Sequence, residues 1–234
     1  MTVNTPPASL SFDLAEALRH LSACDEQLER LIAEMAPFKI KVEDGQSPYE
    51  VLLEAVTYQS ISGKAAATIY GRIKALGENG RPPGPEKMLK IPTAKLRKAG
   101  LSGAKAAAMK DLAKKALAGI VPTHDEALKL SDEELVERLV SVRGIGAWTV
   151  EMFLIFRLGR PDVLPIHDLG VKKGWSVAYG KKHMPTPKEL LKFGERWRPY
   201  RTVASWYMWR AFESAGYAFT NKIRPRKRRK KRVL

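Results

Sequence analysis

Apolar positions recur at three- and four-residue spacing through most of the chain, the period of an amphipathic helix. Ser11–Leu21 carries Leu14, Leu18 and Leu21 on one face, and Asp25–Met35 carries Leu28, Leu31 and Ile32. Pro48 opens a helix through Val51, Leu52, Ala55 and Val56, and an alanine-rich helix follows from about Gly63 to Leu76. Glu78–Pro85 holds three prolines and two glycines and reads as a loop. Pro92 and Thr93 start a short helix to Ala99; Ser102 caps Gly103–Ala118, which stops at Gly119. Ser131 with Glu134 forms a capping box that opens a helix to about Val140. After a tight turn, Ala147–Leu158 is helical until Gly159–Pro161 breaks it, and Asp168–Ala178, Pro187–Arg196 and Pro199–Ala215 complete the set. No hairpin signal and no repeat of fixed period interrupts this pattern, so the fold class expected is all-α.

Charge changes the picture from a helical protein to one with a polyanionic partner. The 234 residues carry 41 Lys plus Arg against 25 Asp plus Glu, a net charge of +16, and the simplest polyanion is nucleic acid. Nine of the basic residues lie between Lys222 and Arg232 with no acid among them. Removing them leaves +7 on the rest, so the body is itself basic. That tail has no apolar periodicity and is expected to be disordered; it adds general affinity for DNA or serves as a nuclear-targeting signal. The single cysteine, Cys24, excludes an intramolecular disulfide framework, a four-cysteine zinc site and an iron–sulfur cluster; it reads as a small buried residue. Residues 1–10 lack the pattern of a signal peptide and no segment has the apolar length of a membrane span, so a soluble intracellular protein is expected.

The segment with most chemistry is Val142-Arg143-Gly144-Ile145-Gly146, which joins two apolar helices. The glycines permit positive φ and present no side chain. A phosphate can then approach the amides at the start of the second helix, while Ile145 plugs the turn into the core. This is a helix-hairpin-helix pattern, a grip that positions DNA without reading its bases. By itself the turn also fits a tight connection between packed helices. Nineteen residues after Thr149 comes Asp168, preceded by Pro165. Gly144, Gly146, Pro165 and Asp168, in this order and spacing, resemble the helix-hairpin-helix, glycine/proline-rich loop, aspartate superfamily of DNA glycosylases. Within it the chain is most similar to the DNA-3-methyladenine glycosylase II group. Tyr58-Gln59-Ser60-Ile61-Ser62 with Lys64-Ala65-Ala66, Gly100-Leu101-Ser102 with Lys105, and Pro199–Trp209 resemble three further segments of that group. The likeness runs from about Asp25 to Gly216, in the compact form without an N-terminal β domain.

The resemblance implies two helical lobes with a DNA-binding groove between them. Residues 11–47 and 166–222 would form one lobe and 48–165 the other, flanked by disordered ends at 1–10 and 223–234. It implies a monofunctional glycosylase that removes alkylated purines from damaged duplex DNA as a monomer, without a cofactor. The site of action would be the nucleoid in a bacterium or archaeon and the nucleus in a eukaryote. Asp168 would be catalytic: breaking a base–sugar bond builds positive charge on the deoxyribose, which a fixed carboxylate stabilises. The competing reading of Asp168 is a helix N-cap. Trp148 stands where bifunctional relatives carry a lysine, so the amine for a Schiff base is missing there. Trp148 and Trp209, with Leu169 and Tyr58, would line the base pocket, where aromatic faces suit a cationic N-alkylpurine; two core tryptophans are the alternative. Leu169 replaces an aromatic of some relatives, implying a more open pocket. His167 is expected to contact DNA. Gly144, Ile145, Gly146, Thr149, Gln59 and Ser102 would meet the DNA backbone, and the carbonyls of Val142 and Gly144 are candidates to hold a monovalent cation, with no metal bound by side chains. Ser60 occupies the position whose side chain fills the gap left by a flipped base, but it is small and polar where relatives use Leu or Gln; Gln59 and Ile61 are the other wedge candidates. An endonuclease III-like or mismatch glycosylase is disfavoured by the missing cluster cysteines and hairpin lysine. A purely DNA-binding helix-hairpin-helix module is disfavoured by the aspartate and tryptophans.

Overall fold

The computed structural model describes residues 10–216 except 36 and 44. The basic tail and all but the last residue of the segment 1–10 therefore lie outside the described residues. Thirteen α-helices and no strand occur among the described residues. The first seven are α1 Leu14–Cys24, α2 Glu26–Glu34, α3 Pro48–Tyr58, α4 Gly63–Lys74, α5 Pro85–Lys90, α6 Thr93–Lys98 and α7 Gly103–Leu117. Then come α8 His124–Lys129, α9 Asp132–Val140, α10 Ala147–Phe156, α11 Leu169–Ala178, α12 Pro187–Gly194 and α13 Arg201–Ser214, the last preceded by a 3-10 turn, Glu195–Trp197. No helix among the described residues is long and apolar enough to cross a membrane.

Local chemistry sets these boundaries. Asp13 and Asp25 accept amides at the starts of α1 and α2. Ser47, Thr123, Ser131 and Thr186 each form a capping box with a glutamate three residues on, so each end satisfies two otherwise orphaned donors. Two six-residue helices, α5 and α8, were not expected from the apolar period. The first begins at Pro85, where a loop was expected, and the second is announced only by its capping box, because neither is long enough to show periodicity.

The helices pack in two sets. Helices α3, α5 and α6 pack on α7, α4 and α10 on α3, and α9 on α10. Helices α1 and α2 pack on α13 and on each other, with α11 against α13. One hydrophobic cluster runs through both sets, from Leu28 and Trp206 to Leu112 and Leu139. The closest approach is α11 on α13: a Cβ on Gly174 would lie 1.7 Å from the Met208 carbonyl oxygen. Only glycine tolerates that contact. Asp25 also joins separate elements, accepting from the Tyr179 hydroxyl (2.7 Å) and the Trp197 indole (3.0 Å). Cys24 is half-buried, and burial pushes its thiol pKa up, consistent with an unreactive residue.

Candidate active site

The hairpin between α9 and α10 is a built object. Gly144 has φ +80, and a Cβ there would meet Ala108 at 3.3 Å. Ile145 is buried, as a plug should be, and its amide donates to the Val142 carbonyl at 3.0 Å. The Gly146 carbonyl accepts the amides of Thr149 and Val150. The amides of Gly146, Ala147 and Trp148 at the α10 N-terminus are left without a partner among the described residues, as the first turn of any helix leaves them. Behind the turn, Asp111 accepts the Arg143 amide at 2.8 Å. That bond, ahead of the Lys115 charge, holds the Asp111 carboxyl below the usual range. The loop after α3 is tied to the hairpin. The Gln59 amide donates to the Gly144 carbonyl (2.9 Å), and Lys105 donates to the carbonyls of Thr57 (2.7 Å) and Gln59 (2.6 Å).

This geometry bears on several of the expected roles. Thr149 is buried and its amide is spent, and the Ile145 side chain faces inward; neither is presented to a phosphate. Ser102 caps α7 by accepting the Lys105 amide at 3.2 Å and is exposed. The carbonyls of Val142 and Gly144, candidates for a cation, already accept the Ile145 amide and the Gln59 side chain. That same bond commits Gln59, which weakens it as a wedge. Ser60 is exposed with φ +59, a left-handed backbone that is uncommon for a residue bearing a Cβ and that concentrates at functional turns. Ile61 beside it is partly exposed.

The segment before Asp168 is pinned from several sides. Arg201 forks onto Asp162 (2.7 and 3.0 Å). The Thr202 hydroxyl accepts the Val163 amide (3.0 Å) and donates to the Arg160 carbonyl (2.6 Å). Asp168 then caps α11, its Oδ1 accepting the Val171 amide at 2.7 Å. The cap is only part of its environment. Trp209 Nε1 also donates to Oδ1 (2.9 Å), and Trp148 Nε1 donates to Oδ2 (2.8 Å). Asp168 is 7% exposed, and its carboxylate lies between α10 and α13 with three N–H donors converging on it. Each carboxylate oxygen accepts about two hydrogen bonds, so Oδ2 retains capacity for one more donor.

The two tryptophans are therefore not equivalent pocket walls. Trp148 is 47% exposed and keeps ring surface open beside Asp168. Trp209 is 6% exposed and stacks on Phe156 at 5.9 Å. One of its faces is taken by Phe156 and its indole N–H holds the carboxylate, so what Trp209 brings to the site in this geometry is a hydrogen bond to Asp168. Leu169, 55% exposed, and exposed His167 flank Asp168. Tyr58 lies edge-on to Tyr70 at 6.4 Å and makes no ring or hydrogen-bond contact with Trp148, Trp209 or Asp168 among the described residues. One residue was missed. Glu151 has its pKa pushed up to about 7, by burial first and then by the Asp168 charge. A lone charge in the apolar run Ala147–Phe156 was the signal for it.

Known proteins share this fold. The family described as HhH-GPD superfamily base excision DNA repair protein matches residues 53–199. The chain is 39% identical over 215 residues to DNA-3-methyladenine glycosylase 1 of Schizosaccharomyces pombe, covering 92% of this chain and 93% of that one. The solved structure of the Schizosaccharomyces pombe 3-methyladenine DNA glycosylase in complex with abasic DNA superposes with a TM-score of 0.76 at 38% identity, covering 87% of this chain and 99% of the other. A DNA-3-methyladenine glycosidase from Bacillus halodurans gives 0.78 at 29% identity, covering 91% and 94%. By fold, hairpin and extent of sequence likeness, this chain belongs to the HhH-GPD superfamily of base excision DNA repair proteins.

Proposed function

We propose that this protein is a monofunctional DNA glycosylase of base excision repair, which hydrolyses the N-glycosidic bond of alkylated purines flipped out of damaged duplex DNA. The observation that carries the reading is the carboxylate of Asp168, nearly buried and held by the indoles of Trp148 and Trp209 as well as by its own helix. A helix cap needs one oxygen and one amide; two further indole donors have no purpose in capping, which disfavours a DNA-binding module without catalysis. A fixed carboxylate stabilises the positive charge that develops on deoxyribose as the base departs. The remaining acceptor capacity of Oδ2 orients or activates the attacking water. The open face of Trp148 is the surface for the extruded base, and cation–π attraction favours an N-alkylated, positively charged purine. An indole at this position supplies no amine, so the backbone is left uncut.

The free amides of Gly146, Ala147 and Trp148 grip one phosphate beside the lesion. With Gln59 tied to Gly144, Ile61 is the apolar side chain that fills the gap in the stack, presented by the left-handed turn at Ser60. The two packed sets of helices act as the two lobes of the groove, and a single copy of the chain meets the DNA wherever the genome resides. The test is mass spectrometry of bases released from methylated duplex DNA. Free 3-methyladenine or 7-methylguanine in proportion to enzyme supports the reading; intact bases at enzyme excess, with duplex bound, would leave a binding module.

A further inference from the structure

Glu151 is the one charged residue of α10, a helix otherwise built from apolar residues and Trp148 and Thr149. Its Oε2 is shut off from solvent and has no hydrogen-bond partner among the described residues. Buried polar atoms are nearly always paired, and an exception calls for an explanation. Glu151 follows Trp148 by three residues, so both project from one side of the helix, and the Trp148 indole rests on Asp168 at 2.8 Å. The Asp168 charge reaches Glu151 and, after burial, is the second cause of its raised pKa.

The surroundings do not neutralise this carboxyl. Glu151 lines a cleft of about 620 Å³ with Asp132, Glu133 and Glu137 from α9. The cations of the same cleft are Arg160, Arg198 and Arg201. Arg201 and Arg198 are committed to Asp162, and Arg160 to Asp132 and to the carbonyls of Ala127, Leu128 and Leu130. On α3, which also packs on α10, Glu50 pairs with Arg81 and Glu54 accepts from Gln46. Arg160 Nε is itself buried without a hydrogen-bond partner among the described residues, yet no ion pair among them joins Glu151 to Arg160, Arg198 or Arg201, whose carboxylate partners are Asp132, Asp162 and Glu195, so a structural ion pair does not account for Glu151.

We propose that Glu151 is a positioning residue for base release, a second carboxyl whose ionisation state sets how strongly the Asp168 site draws positive charge onto the deoxyribose. The proposal rests on the glycosylase reading above. In its neutral form Glu151 leaves Asp168 as the one anion facing the sugar. Ionised, it adds a second negative charge in a poorly solvated region, where charges act at a distance far more strongly than in water. No bond to the substrate is made through Glu151; it acts through the field at Asp168. DNA phosphates add negative charge and move its ionisation to higher pH, so the rate of release of a cationic lesion should rise as pH passes through about 7 or somewhat above.

The experiment is the single-turnover rate of 7-methylguanine release from duplex DNA, enzyme in excess, across the neutral range. Wild type should show a limb of about tenfold, the size expected of one unit charge at moderate effective dielectric. Glu151→Gln should be flat at the low-pH rate, because Gln mimics the neutral acid. Glu151→Asp, which keeps the carboxyl, should retain a limb at a shifted midpoint. Thermal unfolding at each pH checks that the variants are folded, and if Glu151→Gln does not fold, the shifted midpoint of Glu151→Asp decides. A limb that persists unchanged in Glu151→Gln, or a flat wild-type profile with robust release, overturns the role of Glu151 alone. Absence of release by wild type at every pH overturns the glycosylase reading with it.

Discussion

Replacing Asp168 by asparagine separates the two functions of its carboxylate. Three N–H donors converge on the side chain: Val171 and Trp209 on Oδ1, Trp148 on Oδ2. Asparagine offers one acceptor oxygen. If that oxygen takes the Oδ1 place, α11 stays capped and Trp209 stays bound, but the amide NH2 confronts the Trp148 indole N–H across 2.8 Å. A donor left unsatisfied costs about 1–3 kcal/mol. Trp148 is 47% exposed and can turn its N–H to water, so the lower end applies: about 1 kcal/mol, or roughly 2–4 °C in Tm for a chain of this size. The chemistry suffers more. Losing a positioned negative charge at a developing cation costs about 3 kcal/mol or more, a rate loss on the order of a hundredfold or greater. A lesion that is already cationic, such as 7-methylguanine, leaves more readily and should lose less than a neutral one such as hypoxanthine, if the latter is a substrate. The assay is single-turnover base release beside thermal unfolding and duplex binding. A folded, DNA-binding Asp168→Asn with near-wild-type release on every lesion would reduce Asp168 to a helix cap and refute the reasoning.

Three other perturbations probe the supports of the site. Trp209→Phe keeps a ring against Phe156 but removes the indole donor to Asp168; a hydrogen bond to a charged group is worth about 1.5–3 kcal/mol, so base release should slow ten- to a hundredfold at unchanged duplex affinity, and a rate within twofold of wild type contradicts the orienting role. Gln59→Ala cuts the tie to the Gly144 carbonyl, at about 0.5–1.5 kcal/mol; duplex binding should weaken severalfold, and an unchanged dissociation constant would show that the tie does not shape the phosphate grip. Glu151 has its folded pKa raised from 4.5 to about 7, so the stability of its neutral form is fully present below the unfolded value and is lost as pH rises through about 7. At 1.36 kcal/mol per pKa unit the ceiling is about 3 kcal/mol, reduced to about 1–3 by partial solvent access. Glu151→Gln should therefore gain on wild type in Tm between pH 4.5 and 8, and a pH-independent difference contradicts the shift.

The parts of this structure that were legible in the sequence are those specified locally. Ser131 with Glu134 and Ser102 mark helix starts that the structure keeps, and the spacing of Gly144 and Gly146 marks the hairpin, because turn and cap chemistry act over three or four residues. What long-range geometry sets was not legible. Trp209 lies on a helix buried on nearly every side, and that its N–H meets Asp168, 41 positions away, depends on how α11 packs on α13. The bond from Gln59 to Gly144 spans 85 positions of chain and left no local pattern. Tyr58 was assigned to the pocket by its neighbours in sequence, yet its ring turns to Tyr70. Glu151 was visible as a single acid in an apolar helix, but its meaning depends on the proximity of Asp168, which the fold supplies.

The most direct test of the account is the product balance from a duplex bearing one methylated purine, incubated with the protein in excess. Free base should appear in equal amount to intact abasic sites, with strands cut only after alkali and no covalent protein–DNA adduct trapped by borohydride. No base released at any excess, or strands nicked with an efficiently trapped adduct, would contradict a monofunctional glycosylase working through Asp168.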